Sequence, residues 1–113
     1  MVSRSQVKFI KVYRTPTGRV AFTDWVNSLK SKTVRHRLEE RLVRLANGHF
    51  GDCKSVGEGV FELRLFFSAG FRVYFAEYRQ SIILLLCGGD KSTQTRDIQK
   101  AKAYWKQFKE NIQ

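Results

Sequence analysis

Three apolar segments in the second half of the chain constrain its fold more than any other feature. They are Val60–Phe67, Phe71–Tyr78 and Ile82–Cys87, separated by Ser68-Ala-Gly70 and by the turn Tyr78-Arg-Gln-Ser81. In the first, Phe61, Leu63, Leu65 and Phe67 fall on one side and Glu62, Arg64 and Phe66 on the other. In the second, Phe71, Val73 and Phe75 oppose Arg72, Tyr74 and Ala76. Side chains alternate across a strand, so a period of two with short connections predicts an antiparallel meander. The third segment is almost wholly apolar and reads as an interior strand.

The rest of the chain supplies one more strand and three helices. Residues 6–14 alternate Val7 and Phe9 with Lys8 and are rich in β-branched and aromatic types, which predicts a strand. Thr15-Pro-Thr-Gly is a turn, after which Phe22, Trp25, Val26 and Leu29 mark a helical face. Lys30–Thr33 breaks that helix, and Ser31 or Thr33 can cap the next. The second helix, about Val34–Ala46, lines up Val34, Leu38, Leu42 and Leu45, with Arg37, Arg41 and Arg44 as a separate stripe. Asn47-Gly48 stops it. A last helix, about Arg96–Asn111, spaces Ile98, Ala101, Trp105, Phe108 and Ile112 alternately by three and four. The expected order is strand, helix, helix, three strands, helix. That makes a single α+β domain over residues 1–113, a four-stranded, mainly antiparallel sheet packed on helices.

Charge narrows the class of partner. The chain holds 21 Lys and Arg against 10 Asp and Glu, a net +11. Residues 1–50 carry eleven basic and three acidic side chains, whereas residues 51–80 carry four of each. Such an excess attracts polyanions, nucleic acid first among them. The Arg37, Arg41 and Arg44 stripe is a candidate RNA contact, set against the plainer reading of a solvated helix face. The longest apolar run, Ile82–Cys87, is too short to cross a bilayer, and the opening Met-Val-Ser-Arg-Ser-Gln lacks an apolar signal region. No membrane association is expected, and a cytoplasmic protein is. Cys87 reads as a small buried hydrophobe and Cys53 as a residue of a polar loop.

Four cations stand at the ends of the predicted strands: Lys54 before the meander, Arg64 and Arg72 within it, and Lys91 after Gly88-Gly89. Register predicts that Arg64 and Arg72 project together from the sheet face opposite the helices, with Glu62 and Tyr74 beside them. Cations gathered without a metal-ligand or Ser/His/Asp set suit a phosphodiester. The plainer reading of Arg64 is a cross-strand ion pair with Glu62 or Glu77. His36, His49, Cys53 and Cys87 do not stand at zinc spacings, so no metal or cofactor is expected. Gly88-Gly-Asp-Lys-Ser lacks the upstream glycine of a phosphate-binding loop, which excludes a nucleotide triphosphatase. His49, near the Gly-rich Gly51–Gly59 tract, is a candidate proton carrier, set against the plainer reading of a solvated loop residue.

Taken together, Gly51-Asp-Cys-Lys54-Ser-Val-Gly57-Glu-Gly-Val60-Phe-Glu-Leu-Arg64, Gly70-Phe-Arg72-Val-Tyr-Phe75, Gly88-Gly-Asp-Lys91-Ser and Asp97-Ile…Ala101…Tyr104-Trp105 resemble a known family. The resemblance is to the phage-derived "addiction module killer protein" branch of the RelE/HigB toxin superfamily, and it covers nearly the whole chain. It implies a RelE-like small domain and a type II toxin that cuts mRNA on the ribosome. A cognate antitoxin, often a helix-turn-helix protein, would silence it, and operator DNA would be bound only through that complex. It further implies metal-independent cleavage by attack of the 2′-hydroxyl, with Arg72 at the scissile phosphate, Lys91 assisting, and Lys54 and Arg64 as accompanying cations. Some relatives use a C-terminal Tyr as general base, where this chain has Asp97. The proton acceptor is therefore open among Lys54, His49, Asp90, Asp97 and Tyr74. A non-catalytic nucleic-acid-binding module, or a degenerate toxin acting in a repressor complex with its antitoxin, is the alternative.

Overall fold

The expected meander forms, and strands are added at both of its edges. The structure, a computed structural model, describes residues 7–67 and 70–112. Gln6 of the expected first strand and Ser68-Ala69 of the expected turn lie outside the described residues. The elements are β1 (Phe9–Val12), α1 (Ala21–Ser28), α2 (Lys32–Ala46), β2 (Cys53–Gly57), β3 (Val60–Arg64), β4 (Arg72–Tyr78), β5 (Ile82–Gly89), a 3-10 turn (Lys91–Thr93) and α3 (Gln94–Asn111). The sheet therefore has five strands rather than four, in the order β1-β5-β4-β3-β2. It is antiparallel except where β1 runs parallel to β5.

β2 is the strand missing from the sequence reading, which placed Cys53 and Lys54 in a loop. Its residues are mostly exposed or half-buried at the sheet edge, so no run of buried apolar positions announces it. A two-residue turn at Glu58-Gly59, both with positive φ, returns the chain into β3. That geometry matches the twist of a tight hairpin. β1 is also shorter than expected, and its apolar side faces outward. Phe9 and Val7 are exposed, while Ile10 packs against the core and Lys8 pairs with Glu77 at 2.8 Å.

Helices cover both faces of the sheet. On one, Phe22, Leu29, Leu38 and Leu45 pack on Leu63, Val73, Phe75, Ile83 and Leu85. On the other, Ala101 and Trp105 of α3 pack on Val60, Tyr74, Ala76, Leu84 and Leu86. The face carrying Arg64 and Arg72 is thus not the open face expected from the sequence. α3 covers its centre, because the Ala101–Trp105 stripe needs an apolar floor that Tyr74 and Ala76 provide. Ser31 caps α2, its hydroxyl accepting from the Val34 amide at 3.2 Å, and Gly48 ends that helix at φ 90°.

A bulge in β5 decides what lies at the open end of the sheet. Phe75 pairs with Leu85 but Tyr74 pairs with Cys87, so Leu86 is an extra residue and the alternation changes phase. Gly88 then lies under Trp25 and Gly89 under Asp97; a Cβ on either would come within 2.2 Å or 1.9 Å of those side chains. The two glycines let α1 and α3 approach the strand from opposite sides, and they bring Gly89 into register with Arg72.

Candidate phosphodiester site

Register assembles the site. Lys54 of β2 pairs with Glu62 of β3, Glu62 with Tyr74 of β4, and Arg64 with Arg72. All five side chains therefore leave the sheet on the α3 side, Glu62 and Tyr74 beneath that helix and Lys54 and Arg64 reaching toward solvent. Glu62 is at the centre and is fully buried. One carboxylate oxygen, Oε2, accepts from Tyr74 Oη at 3.0 Å and from Gln94 Nε2 at 2.8 Å, with Arg72 Nε at 3.6 Å. The other, Oε1, faces Arg64 Nε at 3.4 Å and Lys54 Nζ at 3.9 Å. The sequence reading named the Glu62–Arg64 pair as the plainer alternative; the structure makes it one part of a larger cluster.

Electrostatics explain why a buried carboxylate stays charged here. Burial alone would push the Glu62 pKa up, but donation by Gln94, Tyr74 and Arg64, with the Arg72 charge, outweighs it and holds the group below its ordinary value. The same contacts act oppositely on Tyr74. Burial first, then its bond to Glu62, drives the phenol far above its normal range. Tyr74 is a fixed donor, which does not fit the expectation that it accepts a proton.

The cations are graded in access. The side chains of Lys54, Arg64 and Arg72 are 52%, 39% and 11% exposed. Arg72 Nη1 donates to the Gly70 carbonyl at 2.6 Å, while its buried Nε finds no hydrogen-bond partner among the described residues. Gly70 also ties in Lys91: a Cβ there would meet Lys91 Cβ at 3.0 Å and Arg72 Nη1 at 3.3 Å. The structure thus brings Lys54, Arg64 and Arg72 around one carboxylate and sets exposed Lys91 at the rim.

The other candidates are placed elsewhere or already engaged. Asp90 caps the 3-10 turn, accepting from the Ser92 amide at 2.8 Å, and these bonds with Ser92 hold its carboxyl below the usual range. It thereby occupies the Ser92 amide at the start of that turn. Asp97 is buried over Gly89 and accepts from Thr93 Oγ1, so its carboxylate is engaged in packing α3 on β5. His49 is exposed in the loop after α2, and its own carbonyl accepts from Arg41 at 3.0 Å. Arg41 also donates to the Phe50 carbonyl, which makes it a clamp on that loop rather than a free RNA contact. Arg37 and Arg44 are exposed and, with Arg41 and Arg64, line a groove of about 340 Å³.

Two residues of this site escaped the list of candidates drawn from the sequence. Glu62 had a visible signal, since period two put it on the same face as both arginines. Gln94 had none: it reaches Glu62 from the first turn of α3 across 32 positions of chain.

The five-stranded sheet with α1 and α2 on one face and α3 on the other is the RelE-like fold. It is similar to a solved structure of the E. coli toxin RelE, a mutant in the free state, with a TM-score of 0.60 and 16% identity. The match covers 81% of this chain and 93% of that one. In sequence, the chain belongs to the same family as an uncharacterized protein of Haemophilus influenzae (strain Rd). The two are 45% identical over 83 residues, covering 74% of this chain and 84% of that protein. No protein-family model matches the chain.

Proposed function

We propose that this protein is the toxin of a type II toxin–antitoxin system, of the branch its motifs resemble, and that it cleaves mRNA on the ribosome. The observation that carries the reading is the convergence of Lys54, Arg64 and Arg72 on buried Glu62, with Lys91 at the rim. The 2′-oxygen attacks the neighbouring phosphorus, the bond to the 5′-oxygen breaks, and a 2′,3′-cyclic phosphate and a 5′-hydroxyl leave. Negative charge gathers on the phosphate oxygens in between. Arg72, its Nη1 held by the Gly70 carbonyl, offers a preorganised guanidinium there, with Arg64 and Lys91 as accompanying cations. Lys54, the most exposed of the three around Glu62, adds a further cation; the 2′-hydroxyl proton passes to solvent water, and solvent water protonates the departing 5′-oxygen. Val7, Phe9 and Val12, all exposed at or beside the edge strand β1, support a protein partner such as an antitoxin.

One observation favours the non-catalytic alternative. Tyr74, Asp90 and Asp97 are each held by other groups, which leaves few side chains to move protons. Induced expression in a bacterial host separates the two. The toxin reading expects growth arrest and messages cut within codons on the ribosome, relieved by Arg72→Ala. Normal growth with intact messages would overturn it in favour of a binding module.

A further inference from the structure

Phe66 is 81% exposed, the most exposed of the large apolar side chains among the described residues. Its neighbours do not share this: Leu65 is buried and Phe67 packs against the core. Its place in the turn after β3 explains why position 66 reaches solvent, but not why an aromatic ring stands there, since leaving it in water forgoes the gain of burial. The ring is set in a stretch with a fixed base. The Leu65 amide donates to the Phe71 carbonyl at 3.0 Å, just beyond the β3–β4 ladder.

What surrounds the ring points to a ligand class. Phe66 forms one wall of the groove that Arg37, Arg44 and Arg64 line, with Asp52 as the opposing charge, 4.0 Å from Arg64 Nη1. Arg64 belongs to both this groove and the Glu62 cluster, so the two are continuous. An aromatic face among guanidinium groups matches the alternation of base and phosphate in a single strand. An acidic peptide would meet the charges equally well, but the carboxylate side chains that do so present no aromatic face to the ring.

We propose that Phe66 is a base-stacking platform. A nucleobase flanking the phosphodiester at the Glu62 cluster lies on its ring, and Arg37 and Arg44 hold the phosphates beyond. This rests on the reading of the cluster as an RNA site, and the test separates the two.

The probe is a fluorescent single-stranded 2′-deoxy oligonucleotide, which cannot be cut, with each base in turn replaced by an abasic unit. Phe66→Ala should weaken binding of the intact strand about 5- to 150-fold, the range that one stacked base confers. Phe66→Trp should restore it, and Phe66→Leu should not. At one position the abasic strand should bind wild type and Phe66→Ala alike. Wild-type affinity in Phe66→Ala, or full rescue by Phe66→Leu, would overturn the proposal; the latter would mark a merely apolar contact of the kind a peptide makes. If stacking is found but the protein cuts no RNA, the cleavage reading fails and the platform stands. If RNA is cut while Phe66→Ala binds normally, the reverse holds.

Discussion

A carboxylate taken wholly out of water keeps its charge only if neighbours replace the solvation it has lost. Glu62 does so with two neutral donors and three cations, at a location where cations alone would repel one another. Glu62→Gln keeps the shape and an acceptor for Tyr74 and Gln94 but removes the charge that gathers Lys54, Arg64 and Arg72. RNA cleavage by this variant should fall on the order of 10²-fold in kcat, as small misplacements of catalytic groups do. Affinity for an uncleavable strand should hold or rise, since the site gains positive charge; an equal loss of both would mean a general structural role. Acid stability carries the same signature. The folded pKa of Glu62 lies below its ordinary 4.5. Its contribution is therefore whole above that value and lost as the pH falls through the folded one. Asp90 acts in the same sense, from its own lower ordinary value of 3.8. Urea midpoints of the wild type should drop as the pH falls below about 5, and Glu62→Gln should drop less.

At the scale of elements, the basic stripe of α2 divides into two jobs. Arg41 hydrogen-bonds the carbonyls of His49 and Phe50 and so fixes how the chain leaves α2 for β2. Arg41→Ala should cost about 1–2 kcal/mol, because two charge-assisted bonds to backbone are lost at a half-buried site. Arg37→Ala and Arg44→Ala touch neither carbonyl and should leave the thermal midpoint unchanged while weakening RNA binding. Thermal melts beside oligonucleotide titrations read the difference, and a destabilised Arg37→Ala or Arg44→Ala would contradict it. The division was invisible in the sequence, where the three arginines are equivalent members of one helical stripe. Only the return of residues 49–51 across the end of α2 distinguishes the middle one.

For the whole molecule, the net +11 is spread widely, but the balance is local to the site. Residues 51–80 carry equal numbers of acids and bases, and there the structure places the Glu62 cluster. Global charge should therefore govern encounter, and the cluster and groove should set the number of phosphates engaged. With Lys54, Arg64, Arg72, Lys91, Arg37 and Arg44 each meeting a phosphate, log affinity should fall against log salt with a slope near −4 for single strands. Arg72→Ala should make it shallower by about 0.7. A slope unchanged in that variant, measured by anisotropy across a salt series, would show that Arg72 meets no phosphate.

The meander, the helical hairpin, the last helix and the α+β class were legible because each repeats a hydrophobic period over several turns or residues. The shared face of Arg64, Arg72, Glu62 and Tyr74 was legible for the same reason, period two being a property of the strand itself. What the local pattern could not carry was set by packing. β2 has too little apolar side to declare itself, and the bulge at Leu86 is an irregularity of pairing that no single strand encodes. Covering of the second sheet face depends on where α3 lands. Glu62 as the centre of charge, rather than one partner of Arg64, likewise required Lys54, Arg72 and Gln94 to arrive from three other elements, and long-range contacts of that kind exist only once the chain has folded.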